Sequence, residues 1–123
     1  MSTISPDAAA EYTAHGSTFT AYVSPSRGSR ELCAWSLTVP PGLTGSAHRP
    51  TRDEVMLVIS GDLTITVDAH PTCAGAGDVL LVPAGSELRV DGGSARATVW
   101  VTTTPGIEAL LDDGTRLAPP WAA

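Results

Sequence analysis

Apolar residues recur along this chain in short runs, some continuous and one alternating with a period of two. Leu63, Ile65 and Val67 alternate with Thr64 and Thr66, the mark of a strand with one buried face. The stretches 19–23 (FTAYV) and 31–39 (ELCAWSLTV) are rich in strand-forming side chains, and Pro40, Pro41 and Gly42 stop the second. The continuous run 55–59 (VMLVI) is closed by Ser60 and Gly61 and is too short for a buried helix. The run 79–82 ends at Pro83-Ala84-Gly85, and 88–90 and 95–103 (ARATVWVTT) complete the set. Residues 68–77 read as a loop, with His70 near a hairpin tip. The helical candidate is 107–112, one or two turns long, and the proline-rich tail LAPPWAA is expected to lack regular structure. About seven or eight short strands with turn signals every eight to twelve residues predict an all-β sandwich, jelly roll or closed barrel.

Organisation follows from the same pattern. Residues 1–15 are polar and alanine-rich and read as a flexible arm. Residues 16–123 read as one barrel, with the tail 106–123 docked on it and Trp121 available to hold it down. At 123 residues the chain suffices for one hydrophobic core without disulfides. Glycine (12) and proline (10) are abundant, as tight turns between short strands require. The formal charge of −6 argues against nucleic acid and anionic membranes as partners. No run reaches the roughly 18 apolar residues of a membrane span. Cys33 and Cys73 imply no disulfide framework, and Cys33 reads as a small buried residue. The first residues lack a basic region followed by an apolar one, so the chain reads as cytoplasmic.

Two stretches carry more than a fold class. From Gly42 to Gly61 the chain reads G-LTGSA-H-R-P-TRD-E-VMLVIS-G, and from Gly77 it reads G-DVLLV-P-A-G-SE-L. The first resembles the leading cupin motif, in which glycine, His-x-His, glutamate and glycine recur at fixed spacing. Gly42, His48, Glu54 and Gly61 fall on those places. The second resembles the other cupin motif, matched by Gly77, Pro83 and Gly85. The chain is therefore identified as resembling the cupin superfamily. The resemblance implies a jelly-roll β-barrel.

The departures bear on chemistry. Metal-binding cupins hold one divalent ion with three histidines and the glutamate. Here the second histidine is Pro50, the third is Leu88, and the motif's asparagine is Gly92. Only His48 and Glu54 remain, and two ligands fix neither affinity nor geometry. No cofactor is expected, a divalent metal at His48 and Glu54 being the minor alternative. His15 and His70 are the other histidines; His70 reads as remote, and the reach of His15 is left open. If positions 48, 50, 54 and 88 face inward, as the resemblance implies, alternation brings Met56 and Val58 inward beside Glu54, and Ser86 and Val90 beside Leu88. The strand parity of Trp35 is not fixed by the sequence, but Trp35 or Trp100 is expected to wall the cavity, and Arg52 to reach its mouth. Val55, Leu57 and Ile59 then face outward and want a cover, which predicts a homodimer unless the segment 19–23 covers them in cis.

Apolar walls with one imidazole and one carboxylate suit a small, largely apolar ligand. The expected function is that of a metal-independent isomerase, cyclase or lyase, a secondary-metabolism type of chemistry, in which His48 and Glu54 act as acid and base. A non-catalytic ligand-binding module is the alternative, and a metal-dependent dioxygenase with an atypical site is a second one.

Overall fold

A computed structural model describes residues 3–123. The described residues form β1 (Ala10–Ala14), β2 (Ser17–Val23), β3 (Cys33–Val39), β4 (Arg49–Pro50), β5 (Glu54–Ser60), β6 (Asp62–Val67) and β7 (His70–Gly75). They continue with β8 (Val79–Val82), β9 (Leu88–Gly92), β10 (Ala97–Thr103), β11 (Ala109–Leu110) and β12 (Arg116–Leu117). Three short 3-10 turns, Pro6–Ala8, Pro25–Arg27 and Pro120–Ala122, are the helical pieces among the described residues. Every strand pairing is antiparallel.

The strands form a six-stranded sheet in the order β1-β2-β3-β10-β5-β8, a three-stranded sheet β7-β6-β9 and a small one β12-β11-β4. This is an all-β jelly-roll barrel, and the sheets face each other across one core. Burial alternates along β5 and β10, so Glu54, Met56, Val58, Val99 and Val101 point inward. Leu63, Ile65 and Leu88 meet them from the opposite sheet. Val55, Leu57 and Ile59 point out, 42%, 37% and 52% exposed, and the other described residues do not cover them.

Four expectations need correction. Within the stretch 1–15 read as an arm, Ala10–Ala14 pair with β2 as an edge strand. Residues 1 and 2 of that stretch lie outside the described residues. His15 and Gly16 make the connecting two-residue turn, both with positive φ, the backbone a tight hairpin requires. The stretch 68–77 is not all loop, because β7 runs through it and pairs with β6 from Val67–His70 to Asp62–Gly75. Its turn residues are Asp68 and Ala69, also at positive φ, and Pro71 is tolerated because β7 is an edge strand. The segment 107–112 forms no helix. Ala109 and Leu110 instead pair with β4 and β12, since one or two isolated turns gain less than an available sheet edge offers. The tail holds β12 and a 3-10 turn. Trp121 docks it, stacked on Phe19 with ring centroids 3.8 Å apart and planes 8° apart.

Candidate functional site

One end of the barrel encloses a cavity of about 430 Å³ lined by His48, Pro50, Glu54, Met56, Leu88 and Trp35, among other residues. That volume lies within the range of about 300–1,000 Å³ usual for small-molecule sites.

Local backbone contacts set His48 and Glu54 on the same cavity. His48 pairs with Leu88 as an isolated bridge, N to O at 3.0 Å and 2.7 Å in the two directions. The two family ligand positions thus face each other across the strands. Pro50 buries its ring, and its carbonyl accepts from Gly85 N at 2.8 Å. The turn 51–53 is tied from three sides. Thr51 N donates to Glu108 O at 2.9 Å, Thr103 Oγ1 donates to Asp53 O at 2.6 Å, and Ala84 N donates to Asp53 Oδ1 at 2.7 Å. The chain returns from this turn into β5, whose first residue is Glu54.

The two groups have distinct electrostatics. Ser46 O lies 3.1 Å from His48 Nδ1 and can only accept, so the ring proton sits on Nδ1 and Nε2 keeps its lone pair. Burial holds the imidazole below its ordinary range, the hydrogen bond to Ser46 opposes this, and nearby His15 adds to the lowering. His48 is thus a neutral base at neutral pH. Glu54 is 5% exposed, and burial pushes its carboxyl up to about 7. Among the described residues it has no ion-pair partner.

Among the residues singled out in the sequence, Trp35, Met56 and Leu88 line the cavity. Others do not. Val58 is buried two residues further along β5, in the filled part of the core. Trp100 lies between inward Val99 and Val101, so its ring turns to the outer face and packs 5.4 Å from Tyr22. Arg52 is exposed beside Gly106, outside the cavity lining, because the turn before β5 directs it away. Ser86 lies outside the lining as well, whereas Val90 contributes to it. His15 reaches the cavity rim from its hairpin turn, and His70 is exposed at the far hairpin, bonded to Asp68 O at 2.9 Å.

Sequence reasoning missed an aromatic wall. Tyr12, Phe19 and Trp121 line the cavity beside Trp35, with Trp121 6.3 Å from Tyr12 and 6.5 Å from Trp35. The signal was the alternation around Tyr12 in a stretch read as an arm.

The donor set does not fit a resident divalent metal. Pro50 and Leu88 present no donor atoms, and among the described residues no three His, Cys, Asp or Glu side chains are grouped to hold an ion.

A family model described as a cupin domain matches residues 35–103, more than half of the chain. The chain belongs to the cupin family. Solved structures with the same fold include the polyketide cyclase RemF from Streptomyces resistomycificus, with a TM-score of 0.74, 12% identity, and coverage of 87% of this chain and 83% of that one. An RmlC-like cupin from Shewanella frigidimarina superposes with a TM-score of 0.70 at 19% identity, covering 81% and 86%. The nucleoside dehydratase Pac13 of Streptomyces gives 0.70 at 18% identity, covering 85% and 82%. At these identities the likeness is one of fold. A curated relative, the endoribonuclease YbeY of Myxococcus xanthus, is 39% identical over 77 residues, 61% of this chain. The match spans only 26% of that protein's length.

Proposed function

We propose that this cupin is a metal-independent isomerase, cyclase or lyase acting on a small, largely apolar molecule, with His48 and Glu54 as its acid–base pair. One observation carries the reading. A neutral imidazole and a carboxyl pushed up to about 7 line a single, otherwise mostly apolar cavity. Groups that titrate near neutrality are suited to proton transfer.

The chemistry follows from the two protonation states. His48 Nε2 takes a proton from the carbon next to a ligand carbonyl. The C–H electron pair becomes the new C=C bond, and protonated Glu54 donates its proton to the carbonyl oxygen. The enol returns the oxygen proton to Glu54, and the imidazolium delivers its proton to carbon. Delivery to a different carbon of the extended enol gives isomerisation. Expulsion of a group from the adjacent carbon gives elimination, the group leaving with its bonding pair and taking the imidazolium proton while the enol O–H proton returns to Glu54. Attack of the enol carbon on a second carbonyl gives cyclisation, the new alkoxide taking the imidazolium proton and Glu54 again recovering its own.

The test uses 2-tetralone in D2O, with deuterium entry at the carbon beside the carbonyl followed by proton NMR. The native protein should accelerate exchange over buffer, and Glu54→Gln and His48→Gln should each remove most of that acceleration. Exchange no faster than buffer, with the ketone bound, would reject catalysis and leave a binding module.

The partners proposed are a small ligand and a second copy of this chain, with neither nucleic acid nor membrane. The net charge of −6 supports the exclusion. The outward apolar residues of β5, with Val79 and Leu81 of β8 63% and 62% exposed, support the dimer. Among the described residues no helix is long and apolar enough to cross a membrane. The cytoplasm is the setting proposed, in keeping with the two unpaired cysteines Cys33 and Cys73.

A further inference from the structure

We propose that the cavity selects an uncharged, planar ligand bearing a hydrogen-bond acceptor, and that the indole N–H of Trp35 is the donor that reads that acceptor. The proposal rests on the reading of this cavity as a small-molecule site and names the ligand class it takes.

The charge argument begins with what the lining lacks. All seven basic residues of the chain are arginines, and none of them lines the cavity. The ionisable groups that do are His48, Glu54, His15, Glu108 and the Tyr12 phenol. Glu108 is held by Arg116 at 3.3 Å, and His15 is exposed at the rim. Among the described residues no fixed positive charge therefore faces a bound carboxylate or phosphate. An anion moved out of water into such a lining loses hydration and gains no counter-ion. Above pH 7 an ionised Glu54 adds like-charge repulsion.

The acceptor argument begins with an orphan. Trp35 is 3% exposed, and its Nε1 is buried without a hydrogen-bond partner among the described residues. A buried donor without an acceptor is costly and is rare in folded proteins. The same indole borders the cavity. Register places it beside the acid–base groups, because Trp35 pairs with Val101, and Val101 pairs with Met56, two residues from Glu54. Trp121 packs edge-on against Trp35 at 6.5 Å. Because Nε1 has almost no accessible surface, a ligand reaches the N–H by shifting a side chain packed on the indole, Trp121 being one that touches it.

Matched probes test both halves by equilibrium dialysis at pH 8: 2-acetonaphthone, its charged counterpart 2-naphthoate, and the hydrocarbon 2-ethylnaphthalene. The ketone should bind at least tenfold more tightly than the carboxylate, and equal or tighter carboxylate binding would overturn the charge selection. Trp35→Phe keeps an aromatic plane and deletes the donor. It should weaken the ketone about fivefold, as loss of one net hydrogen bond does, and leave the hydrocarbon unchanged. Equal weakening of both, or of neither, would overturn the donor role. If Trp35→Phe fails to fold, the native protein supplies the same readout, since ketone and hydrocarbon binding equally would overturn the donor role. Failure of all three probes to bind the folded protein would overturn the ligand class. Failure of the catalytic reading is separate: it leaves these affinity ratios intact while Glu54→Gln leaves tetralone exchange unchanged.

Discussion

Replacing Glu54 by glutamine tests the electrostatics of the site without any substrate. Burial alone lifts this carboxyl from an ordinary 4.5 to about 7. In the unfolded chain it titrates near the ordinary value. Well below that value both states are protonated and the group does not affect stability. Between the two values the folded state holds more protons than the unfolded one, so stability falls as pH rises. Above the folded value the loss is complete. At about 1.4 kcal/mol per pH unit, the interval from 4.5 to about 7 corresponds to about 3 kcal/mol. Glutamine keeps the shape and never ionises. Glu54→Gln should therefore be about as stable as the native protein at acid pH and about 3 kcal/mol more stable at pH 8.5, roughly 10 °C in Tm for a domain of this size. Urea unfolding of both proteins at pH 3.5 and pH 8.5 measures it, and all other titrations cancel in the difference. A native-minus-variant difference identical at the two pH values would refute the reasoning, because the carboxylate would then ionise as freely inside the barrel as in water.

Light scattering at micromolar concentration should give a dimer mass, and Leu57→Glu should reduce it to a monomer through the cost of burying an unpaired carboxylate; a monomeric native protein would reject the interface. Elemental analysis of untagged protein should find far less than one equivalent of iron, manganese, nickel, copper or zinc, and a stoichiometric ion that survives a chelator would contradict the reading of Pro50 and Leu88. Trp121→Ala removes the stack on Phe19 and a wall of the cavity. It should cost about 2–3 kcal/mol in urea unfolding, and an unchanged midpoint would mean the tail is not held by this ring. Gly61→Ala should destabilise by more than about 3 kcal/mol, since its backbone has φ of 77° and an added Cβ collides with the Arg96 carbonyl; a near-neutral effect on the same measurement would sink that account.

The parts of the fold that the sequence disclosed are those enforced locally. Gly42, Gly61, Gly77 and Gly85, which carry the motif resemblance, all sit at positive φ. Their spacing is a record of turns that side chains resist. His48 and Glu54 follow because they are fixed relative to those turns. The short apolar runs and their turn-forming flanks gave β5 and β10, and period-2 alternation gave β6, within a residue or two at each end. β7 escaped because its hairpin turns at Asp68 and Ala69, with no glycine to announce it. β11 escaped because two residues leave no periodic pattern, and its pairing with Arg49 and Pro50 is wholly long-range. The aromatic wall as a whole escaped because its one local signal, the alternation around Tyr12, says nothing of Trp121, which meets Tyr12 from the opposite end of the chain. Trp100 was misplaced for want of the parity of β10, which the inward Val99 and Val101 settle.

The three tryptophans divide the protein's intrinsic emission between two places. Trp35 and Trp121 border the cavity, while Trp100 sits on the outer face, paired across the ladder with Leu57. Entry of a ligand should therefore quench or shift the first two, and association of sheets should perturb the third. Single-tryptophan variants would separate the signals. A variant retaining only Trp100 would report assembly and be blind to the cavity, whereas one retaining only Trp121 would report occupancy and remain unchanged on dilution.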